Sequence, residues 1–244
     1  MLTILYRDEH LIAIDKPAGL LVHRSDVDRH ENRFAVQLLR DQIGRRVQPV
    51  HRLDRGTSGV LLFAFDAGTT RCLGEQFERN AVRKTYLAVV RGWPPESGIV
   101  DHALSRQHDD YGSALKQTEA QSAITRYQRL ATAEVPYAVE RFPTSRYALM
   151  ALNPQTGRRH QLRRHMKHIA HPIIGDATHG KGIHNRFFQQ QFGCHRLLLA
   201  CVELRFLHPV SGEELAIQAP ISDQFGVVLE RLGWLDWRLH QDCL

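Results

Sequence analysis

The sequence predicts an α+β fold in which strands dominate and helices are scattered among them. Short apolar or alternating runs recur along the chain and are typical of β-strands, whereas fewer segments repeat apolar residues at helical spacing. The chain has 244 residues, of which 43% are hydrophobic, and it contains no internal repeat or Pro/Ser-rich linker. These residues are sufficient to bury a core and signal no boundary, so we expect one domain over residues 1–244.

The first elements along the chain are predicted to be short strands joined by a tight turn. The stretch ILYRDEHLIAID alternates apolar and polar residues, breaks at a Lys-Pro-Ala-Gly turn and resumes in LLVH. Apolar residues near helical spacing predict a helix over residues 33–43. The continuous apolar run VLLFAFD has the length of a buried strand, and its last residue, Asp66, can cap the helix that follows.

The later elements are predicted from the same two patterns. In chain order they are the strands KTYLAVVRG, AITRYQRL and RYALMALNP, a helix in GRRHQLRRHMKHI, the strands RLLLACVELRF and ELAIQA, and an apolar helix around residues 227–232. The polar segment 105–117 is predicted to be a surface loop.

The charge of the chain indicates an acidic partner. Lys and Arg number 32 against 26 Asp and Glu, which gives a net charge of +6, and nucleic acid is the commonest partner of a basic protein. Charged residues interrupt the N-terminus before any signal-like run, and no stretch approaches the roughly 18 apolar residues of a membrane span. The four cysteines show no C-x-x-C spacing. We therefore expect a cytoplasmic protein with reduced thiols and no membrane association.

The stretch HRLDRGTSGV places one carboxylate, Asp54, between Arg52 and Arg55. Such a cluster is commonly only a solvated surface. Here it precedes a predicted buried strand, and Gly56 and Gly59 allow backbone angles that other residues avoid. Neighbouring cations favour the ionised carboxylate, which suits a nucleophile or a base better than a general acid. Asp54 is therefore a candidate catalytic residue.

Residues 141–175 contain no Asp or Glu. The Lys and Arg residues of this basic stretch are Arg141, Arg146, Arg158, Arg159, Arg163, Arg164 and Lys167. Charges of one sign over such a length repel each other unless a polyanion neutralises them, which favours a phosphate-backbone groove over a solvated face. The candidate nucleic-acid contacts within it are Arg158, Arg159, His160 and Arg164.

Histidines within the basic stretch suggest a metal site, which we consider and reject. Three-residue steps from His165 to His168 and His171 could place several imidazoles on one helical face. No Asp, Glu or Cys accompanies them, and the neighbouring cations oppose a dication. We expect no metal, and we interpret these histidines, with His160, as contacts to nucleic acid or as hydrogen-bonded residues of the fold.

Tyr86 belongs to the predicted strand KTYLAVV. Strand alternation places Tyr86 on the same side as Lys84 and Ala88, with Thr85 and Leu87 on the opposite side. By itself this pattern indicates a half-buried core tyrosine. In a protein that binds nucleic acid, the same side chain can stack against a base.

The motifs HRLDRGTSGV, KTYLAVV, TGRRHQLRRH, HPIIGD and HPVSGEEL, taken in this order, resemble the successive motifs of the pseudouridine synthases. The resemblance is to the family that groups the dual-specificity and large-subunit ribosomal RNA enzymes, and it begins near residue 4. The flanking segments THGKGIHNRFF and FGCHRLLLA resemble the branch that acts on uridine 65 of tRNA. Five ordered motifs make the resemblance specific.

The resemblance implies a mixed, mostly antiparallel sheet with helices around a central RNA-binding cleft. It also implies that the protein flips a uridine of RNA out of its stack and converts it to pseudouridine, with no cofactor and no metal. By their places in the motifs, Asp54 is similar to the catalytic aspartate of the family and Arg163 to the arginine paired with it. Tyr86 is similar to the tyrosine against the target base, and Arg52 is expected to grip backbone phosphate.

The chain departs from the family pattern in two places. The family usually has His-Ala after RLLL, whereas Ala200 and Cys201 stand here. The small N-terminal RNA-binding domain of many relatives is also not expected, since the motifs begin near residue 4. RNA affinity, for tRNA above all, would then come from the catalytic domain itself, which we expect to act as a monomer.

Three other interpretations remain at this point. The basic stretch alone would suit an RNA-binding protein without catalysis, although Asp54 is present. A glycoside or nucleoside hydrolase generally needs two carboxylates, and only one lies in a motif here. A ribosomal RNA pseudouridine synthase would keep the chemistry and change the substrate, and only the flanking segments argue against it.

Overall fold

The computed structural model describes residues 1–23, 33–105 and 119–240. In chain order, the strands are β1 Thr3–Arg7, β2 Leu11–Lys16, β3 Gln48–Pro49, β4 Ser58–Ala64, β5 Arg83–Arg91, β6 Ser97–Asp101, β7 Leu104–Ser105, β8 Ala120–Gln121, β9 Ile124–Val135, β10 Ser145–Pro154, β11 Leu199–Leu207 and β12 Glu214–Gln218. The helices are α1 Ala35–Ile43, α2 Ala67–Glu78, α3 Gln161–His168, α4 Gly182–Phe192 and α5 Asp223–Arg231, followed by a 3₁₀ helix, Leu235–His240. The α+β class is confirmed.

The chain divides into two compact units. The first comprises Met1–Lys84, Ala103–Gln121 and Cys201–Pro220, and the second comprises Thr85–His102, Ser122–Ala200 and Ile221–Leu244. The expectation of a single catalytic domain stays a prediction.

The first unit is built on antiparallel strands around a strand that is buried throughout. β4 lies beside β2, with Leu11 opposite Ala64 and Lys16 opposite Gly59, and β1 pairs with the other edge of β2. Every residue of β4 is buried, as expected for the continuous apolar run VLLFAFD. β12 pairs with β11 in the same antiparallel sense.

Caps and turns explain where the elements of the first unit begin. Asp66 caps α2, because its Oδ1 accepts a hydrogen bond of 2.8 Å from the backbone amide of Thr69. Asp8 turns the chain between β1 and β2, since its Oδ1 accepts from the amides of His10 and Leu11 at 2.7 and 2.8 Å. The capped helix was predicted, whereas this turn inside ILYRDEHLIAID was not.

The prediction of a strand in LLVH is wrong. Leu21 forms only an isolated bridge with Phe34. The carbonyl groups of Leu21 and Val22 instead accept hydrogen bonds from the amides of Ala35 and Val36, the first two residues with which α1 begins. These carbonyls satisfy amides that have no partner within the helix, and therefore do not take part in a strand ladder.

The second unit is built on an antiparallel ladder in the order β5, β10, β9 and β6. Ala88 pairs with Met150, and Leu152 pairs with both Tyr86 and Tyr127. α3 packs against this ladder through Leu162 and Met166, which belong to the same buried apolar cluster as the strand residues Ala88, Val90, Ala148, Met150 and Leu152. The strands from KTYLAVVRG to RYALMALNP are confirmed.

Several features of the second unit differ from the predictions, including β6 and the 3₁₀ helix, neither of which was predicted. α4 was not predicted, and α3 begins at Gln161 instead of near Gly157. The later start of α3 follows from His160, whose φ of 53° is left-handed and cannot continue a right-handed helix. The predicted loop over residues 105–117 lies outside the described residues, apart from Ser105 in β7.

In the described part of the chain, no helix is both long enough and apolar enough to cross a membrane.

Candidate active site

Asp54 lies at the start of a tight turn that leads into β4. The amide of Thr57 donates a hydrogen bond of 3.0 Å to the carbonyl oxygen of Asp54, which closes the turn. Leu53 and Thr57 on either side are buried, with 5% and 2% of their surface exposed. The Asp54 side chain is half-buried, while Arg52 and Arg55 are exposed. The turn therefore presents one carboxylate between two cations, from a backbone that is fixed at both ends.

Lys16 fixes the same turn through hydrogen bonds to backbone carbonyl groups. Its side chain is completely buried, and its Nζ donates hydrogen bonds to the carbonyl oxygens of Pro17, Leu20 and Arg55 at 2.9, 2.7 and 3.2 Å. The amide of Gly19 also donates to Arg55 O, at 2.8 Å. The end of β2 and the residue after Asp54 are thus joined by hydrogen bonds from a buried ammonium group, whose donors would be costly to leave unpaired.

His51 supports the other end of the turn. Its Nε2 accepts a hydrogen bond of 3.1 Å from the amide of Leu62, and its ring stacks on Phe77 with centroids 4.8 Å apart. Burial, followed by the nearby charge of Lys84, lowers the pKa of His51 to about 3. The imidazole is therefore neutral at physiological pH, with the proton on Nδ1.

Gly59 is required where the turn enters β4. Its φ is +105°, and a Cβ built on it would lie 2.0 Å from the carbonyl oxygen of Cys201. No side chain fits at this contact without moving the backbone. The second glycine of the Gly-Thr-Ser-Gly sequence is therefore required both by its backbone conformation and by the close approach of Cys201.

The loop before α3 is fixed by a buried glutamine. The Gln161 Oε1 accepts hydrogen bonds from Thr156 Oγ1 at 2.8 Å and from the amide of Arg158 at 3.0 Å. Its Nε2 donates to the Ile124 carbonyl oxygen and to Thr125 Oγ1, at 3.0 and 3.1 Å. All of the hydrogen-bonding groups of the amide are used, so the Thr-Gly-Arg-Arg-His loop has a defined backbone.

Arg163 forms a buried ion pair with Asp176. The Nε–Oδ2 distance is 2.7 Å and the Nη2–Oδ1 distance is 2.8 Å, and the two side chains are 10% and 0% exposed. Burial by itself would raise the pKa of Asp176, but hydrogen bonds from Arg163 and from the amides of His179 and Thr178 outweigh it and lower the pKa. The predicted pairing of Arg163 with Asp54 stays a prediction.

The other predicted RNA contacts lie on the same loop and helix, with different exposure. Arg158 is exposed and its Nε donates to the Ser122 carbonyl oxygen at 3.1 Å, whereas Arg159, His160 and Arg164 are half-buried. The His160 Nδ1 lies 3.0 Å from the Nε2 of His179, within hydrogen-bonding distance. These four side chains therefore remain at least partly accessible to a ligand.

Several other cations and histidines of the basic stretch contact groups within the protein, so not all of its residues are available to bind RNA. Arg146 pairs with Glu134 at 3.2 Å, so both it and Arg163 have an acidic partner within the protein. His165 is buried, with Nδ1 2.9 Å from Thr125 Oγ1 and Nε2 3.0 Å from the His102 carbonyl oxygen. His165 is thus a hydrogen-bonded residue of the fold. Within residues 1–23, 33–105 and 119–240, no group of three or more His, Cys, Asp or Glu residues could hold a metal ion.

Tyr86 is half-buried on β5, opposite Leu152 of β10. Its ring packs against the apolar cluster that includes Ala88 and Leu162, so the predicted alternation along this strand is confirmed. Tyr86 and α3, which carries Arg163, therefore pack on the same core.

Sequence reasoning missed three residues that fix the candidate catalytic groups: Lys16, His51 and Asp176. Lys16 lies in the stretch that was predicted as a Lys-Pro-Ala-Gly turn, and Asp176 lies in the motif HPIIGD, where no role was predicted for it. Ala200 and Cys201, where the family usually has His-Ala, are buried, with 2% and 0% of their surface exposed.

The chain is similar to known proteins in both sequence and fold. A family model described as RNA pseudouridylate synthase matches residues 10–168. A tRNA pseudouridine synthase C from Vibrio parahaemolyticus is 50% identical over 235 residues, which cover 96% of each chain. A protein of the same name from Haemophilus influenzae is 47% identical over 96% of this chain and 99% of its own.

Two solved structures share the fold. Human RNA Pseudouridylate Synthase Domain Containing 4 is 25% identical, with a TM-score of 0.69 over 95% of this chain and 93% of its own. Human RNA Pseudouridylate Synthase Domain Containing 1 has a TM-score of 0.70 over 91% of this chain and 84% of its own, and at 23% identity it supports the fold alone.

Proposed function

The chain belongs to the RNA pseudouridylate synthase family, and on that premise we propose that it converts a uridine of tRNA to pseudouridine. The observation that carries this proposal is the similarity to proteins named tRNA pseudouridine synthase C, which are 47–50% identical over nearly the whole chain. The resemblance of the flanking segments Thr178–Phe188 and Phe192–Ala200 implies uridine 65 as the target.

The reaction is an isomerisation, so nothing is added or lost. The bond between the sugar and the base nitrogen breaks, the base turns, and a bond forms between the same sugar carbon and a base carbon. A proton then leaves that base carbon, and the base nitrogen gains one. The residues must therefore break a glycosidic bond, hold the detached base, and move a proton.

We assign the bond-breaking role to Asp54. A half-buried carboxylate on a turn fixed by Lys16 and Gly59 can be aimed at a reacting atom without reorganisation. It would attack the sugar carbon, attack the base, or remove a sugar proton. Arg163 would keep the carboxylate ionised and oriented.

Tyr86 is assigned to the base. The target nucleotide must leave its stack, which costs a few kcal/mol, and a tyrosine ring that faces it would offset part of that cost. The half-buried position of Tyr86 leaves part of its ring accessible. Its hydroxyl group is also our candidate for removing the proton from the base carbon after the new bond forms.

The tRNA is held mainly through its backbone in this proposal. The grooves of an RNA helix expose little sequence information, whereas phosphates and 2′-hydroxyls are accessible to basic side chains. Arg52 and the four side chains Arg158, Arg159, His160 and Arg164 are the contacts we propose. Action as a monomer in the cytoplasm stays a prediction.

The proposal is tested by incubating the pure protein with unmodified tRNA transcripts and with ribosomal RNA fragments, and then mapping pseudouridine. We expect one pseudouridine, at position 65 of tRNAs that carry uridine there. The matched control is the same transcript with a cytidine at position 65, which keeps the shape of the tRNA and removes the target. Modification of ribosomal fragments with none in tRNA would overturn the substrate, and modification of no RNA would overturn the activity.

A further inference from the structure

The carboxylate of Asp176 accepts four hydrogen bonds, two from the Arg163 side chain and two from backbone amides. Oδ2 accepts from Arg163 Nε at 2.7 Å. Oδ1 accepts from Arg163 Nη2 at 2.8 Å and from the amides of Thr178 and His179 at 2.9 and 2.8 Å. Two backbone amides thus fix the carboxylate, and the carboxylate fixes one edge of the guanidinium group. A bidentate, charge-assisted pair of this kind defines the plane of an arginine side chain as well as its position.

The backbone of Asp176 is held in turn by Asn185 of α4. The Asn185 Oδ1 accepts a hydrogen bond of 2.8 Å from the amide of Gly175, and its Nδ2 donates to the Asp176 carbonyl oxygen at 2.9 Å. One amide side chain therefore bridges the backbone from the amide of Gly175 to the carbonyl group of Asp176.

Close packing leaves this loop little freedom. A Cβ on Gly175 would lie 1.9 Å from the Arg196 carbonyl oxygen, and a Cβ on Gly180 would lie 2.2 Å from the carbonyl oxygen of Asp176. The amide of Gly180 also donates to Asp176 O at 3.1 Å. Glycine at these two positions lets the backbone approach closely on both sides of Asp176. The loop is therefore a rigid support from α4 to the guanidinium of Arg163.

We propose that Asp176 is a positioning residue for Arg163 and that Asn185 positions Asp176, so that α4 controls the rate of the chemical step through two successive contacts. The proposal rests on the proposed function, in which Arg163 holds Asp54 in its reactive form. Asp176 binds the Nε and Nη2 side of the guanidinium, and this fixes the direction in which Nη1 points. A tilt of the guanidinium would then weaken its hold on a catalytic carboxylate without removing any contact to RNA.

Three variants test the proposal under single-turnover conditions with excess enzyme. Asp176→Asn keeps the shape of the side chain and removes its charge, and should lower the rate constant by about 30-fold or more. Asn185→Ala releases the amide of Gly175 and the carbonyl group of Asp176, and should lower the rate constant by about 3- to 10-fold. The dissociation constant for tRNA should stay within about threefold for both. Gln189→Ala, an exposed position one turn further along α4, is the control and should leave both quantities unchanged.

A purely structural role for Asp176 predicts a different result. When the folded enzyme stays in excess over the RNA and well above the dissociation constant, partial unfolding lowers the concentration of active enzyme but leaves the single-turnover rate constant unchanged. Wild-type rate constants in Asn185→Ala and in the folded fraction of Asp176→Asn would therefore overturn the proposal. Absence of pseudouridine formation by the wild-type protein on any RNA would instead defeat the proposed function, so the two failures are distinguishable.

Discussion

The buried ammonium of Lys16 donates a hydrogen bond to the carbonyl oxygen of Arg55, over a distance of 3.2 Å. This contact fixes the residue after Asp54 to the end of β2, and the same Nζ also donates to Pro17 O and Leu20 O. A lysine in a turn sequence is commonly a solvated charge, whereas this one is a bridge between two backbone segments. The position of the candidate catalytic carboxylate therefore depends on a side chain that substrate need never touch.

Replacement of Lys16 by Met should destabilise the protein by about 2 kcal/mol or more, because three backbone carbonyl groups lose the donor that the buried ammonium supplies. Met keeps the length and the apolar stem, so packing changes little. The measurement is urea denaturation followed by circular dichroism. Lys167→Met, at an exposed position on α3, should change the unfolding free energy by no more than about 0.5 kcal/mol. Equal effects of the two substitutions would contradict the bridging role of Lys16.

Gly59→Ala should destabilise the fold by more than about 3 kcal/mol. The added Cβ would lie 2.0 Å from Cys201 O at a φ of +105°, so both the contact and the backbone angle oppose it. Gly74→Ala provides the matched control, since nothing lies within 4 Å of its Cβ and it belongs to α2. Ala in a helix interior is favoured over Gly by about 1 kcal/mol. Thermal melting should therefore shift the two variants in opposite directions, and a tolerated Gly59→Ala would refute the close approach.

Stability at acid pH should depend on His51. Its pKa is about 3 in the folded protein and 6.5 ordinarily, so between these values the unfolded chain binds a proton that the folded chain does not. The contribution of His51 to stability is complete above pH 6.5 and is lost as the pH falls towards 3. In His51→Gln this loss is absent, so between about pH 6 and about pH 5 the wild type should lose about 1 kcal/mol more than the variant. Parallel losses in urea titrations would show that His51 is accessible to protons in the fold.

RNA binding should weaken steeply with salt, in part through Arg158, Arg159 and Arg164. Each phosphate contact contributes a slope of about 0.7 to 0.9 to the dependence of log affinity on log salt. Replacing all three residues by Gln should therefore flatten the dependence by about two to three units. Arg71→Gln, which removes an exposed cation paired with Glu75 on α2, is the control and should leave the slope unchanged. An unchanged slope in the triple variant would show that this part of the basic stretch does not face RNA.

Local patterns were sufficient to predict most of the elements. The longer strands follow from apolar or alternating runs, and α2 follows from the Asp66 cap and its helical spacing, whereas β3, β6, β7 and β8 were not predicted. LLVH was wrongly predicted to be a strand. The carbonyl groups of Leu21 and Val22 accept hydrogen bonds from the first amides of α1, and this contact between separate segments cannot be read from the local sequence pattern. α4 was missed because glycine, histidine, asparagine and a run of glutamines dilute its apolar positions.

The motifs that form the candidate site could be predicted from the sequence, whereas the hydrogen-bond and ion-pair partners of its residues could not. Asp54 can be recognised in the sequence from its neighbouring residues. The residues that support the site cannot, because they are distant in sequence from the residues they contact: Lys16 is 39 residues from Arg55, and Asp176 lies just beyond the basic stretch that contains Arg163. An acid-free run of cations thus looked uniformly basic, although Arg146 and Arg163 both have acidic partners in the fold. Pairings of this kind depend on how the chain folds back on itself.

The central claim, that Asp54 performs the chemistry, is tested most directly by Asp54→Asn on an unmodified tRNA transcript. The substitution keeps the size and the hydrogen-bonding shape of the side chain and removes its charge. We predict that pseudouridine formation is abolished while the dissociation constant for tRNA changes by less than about tenfold, which corresponds to about 1.4 kcal/mol. A rate of pseudouridine formation within about tenfold of the wild type would contradict the account, because it would remove Asp54 from the catalytic role.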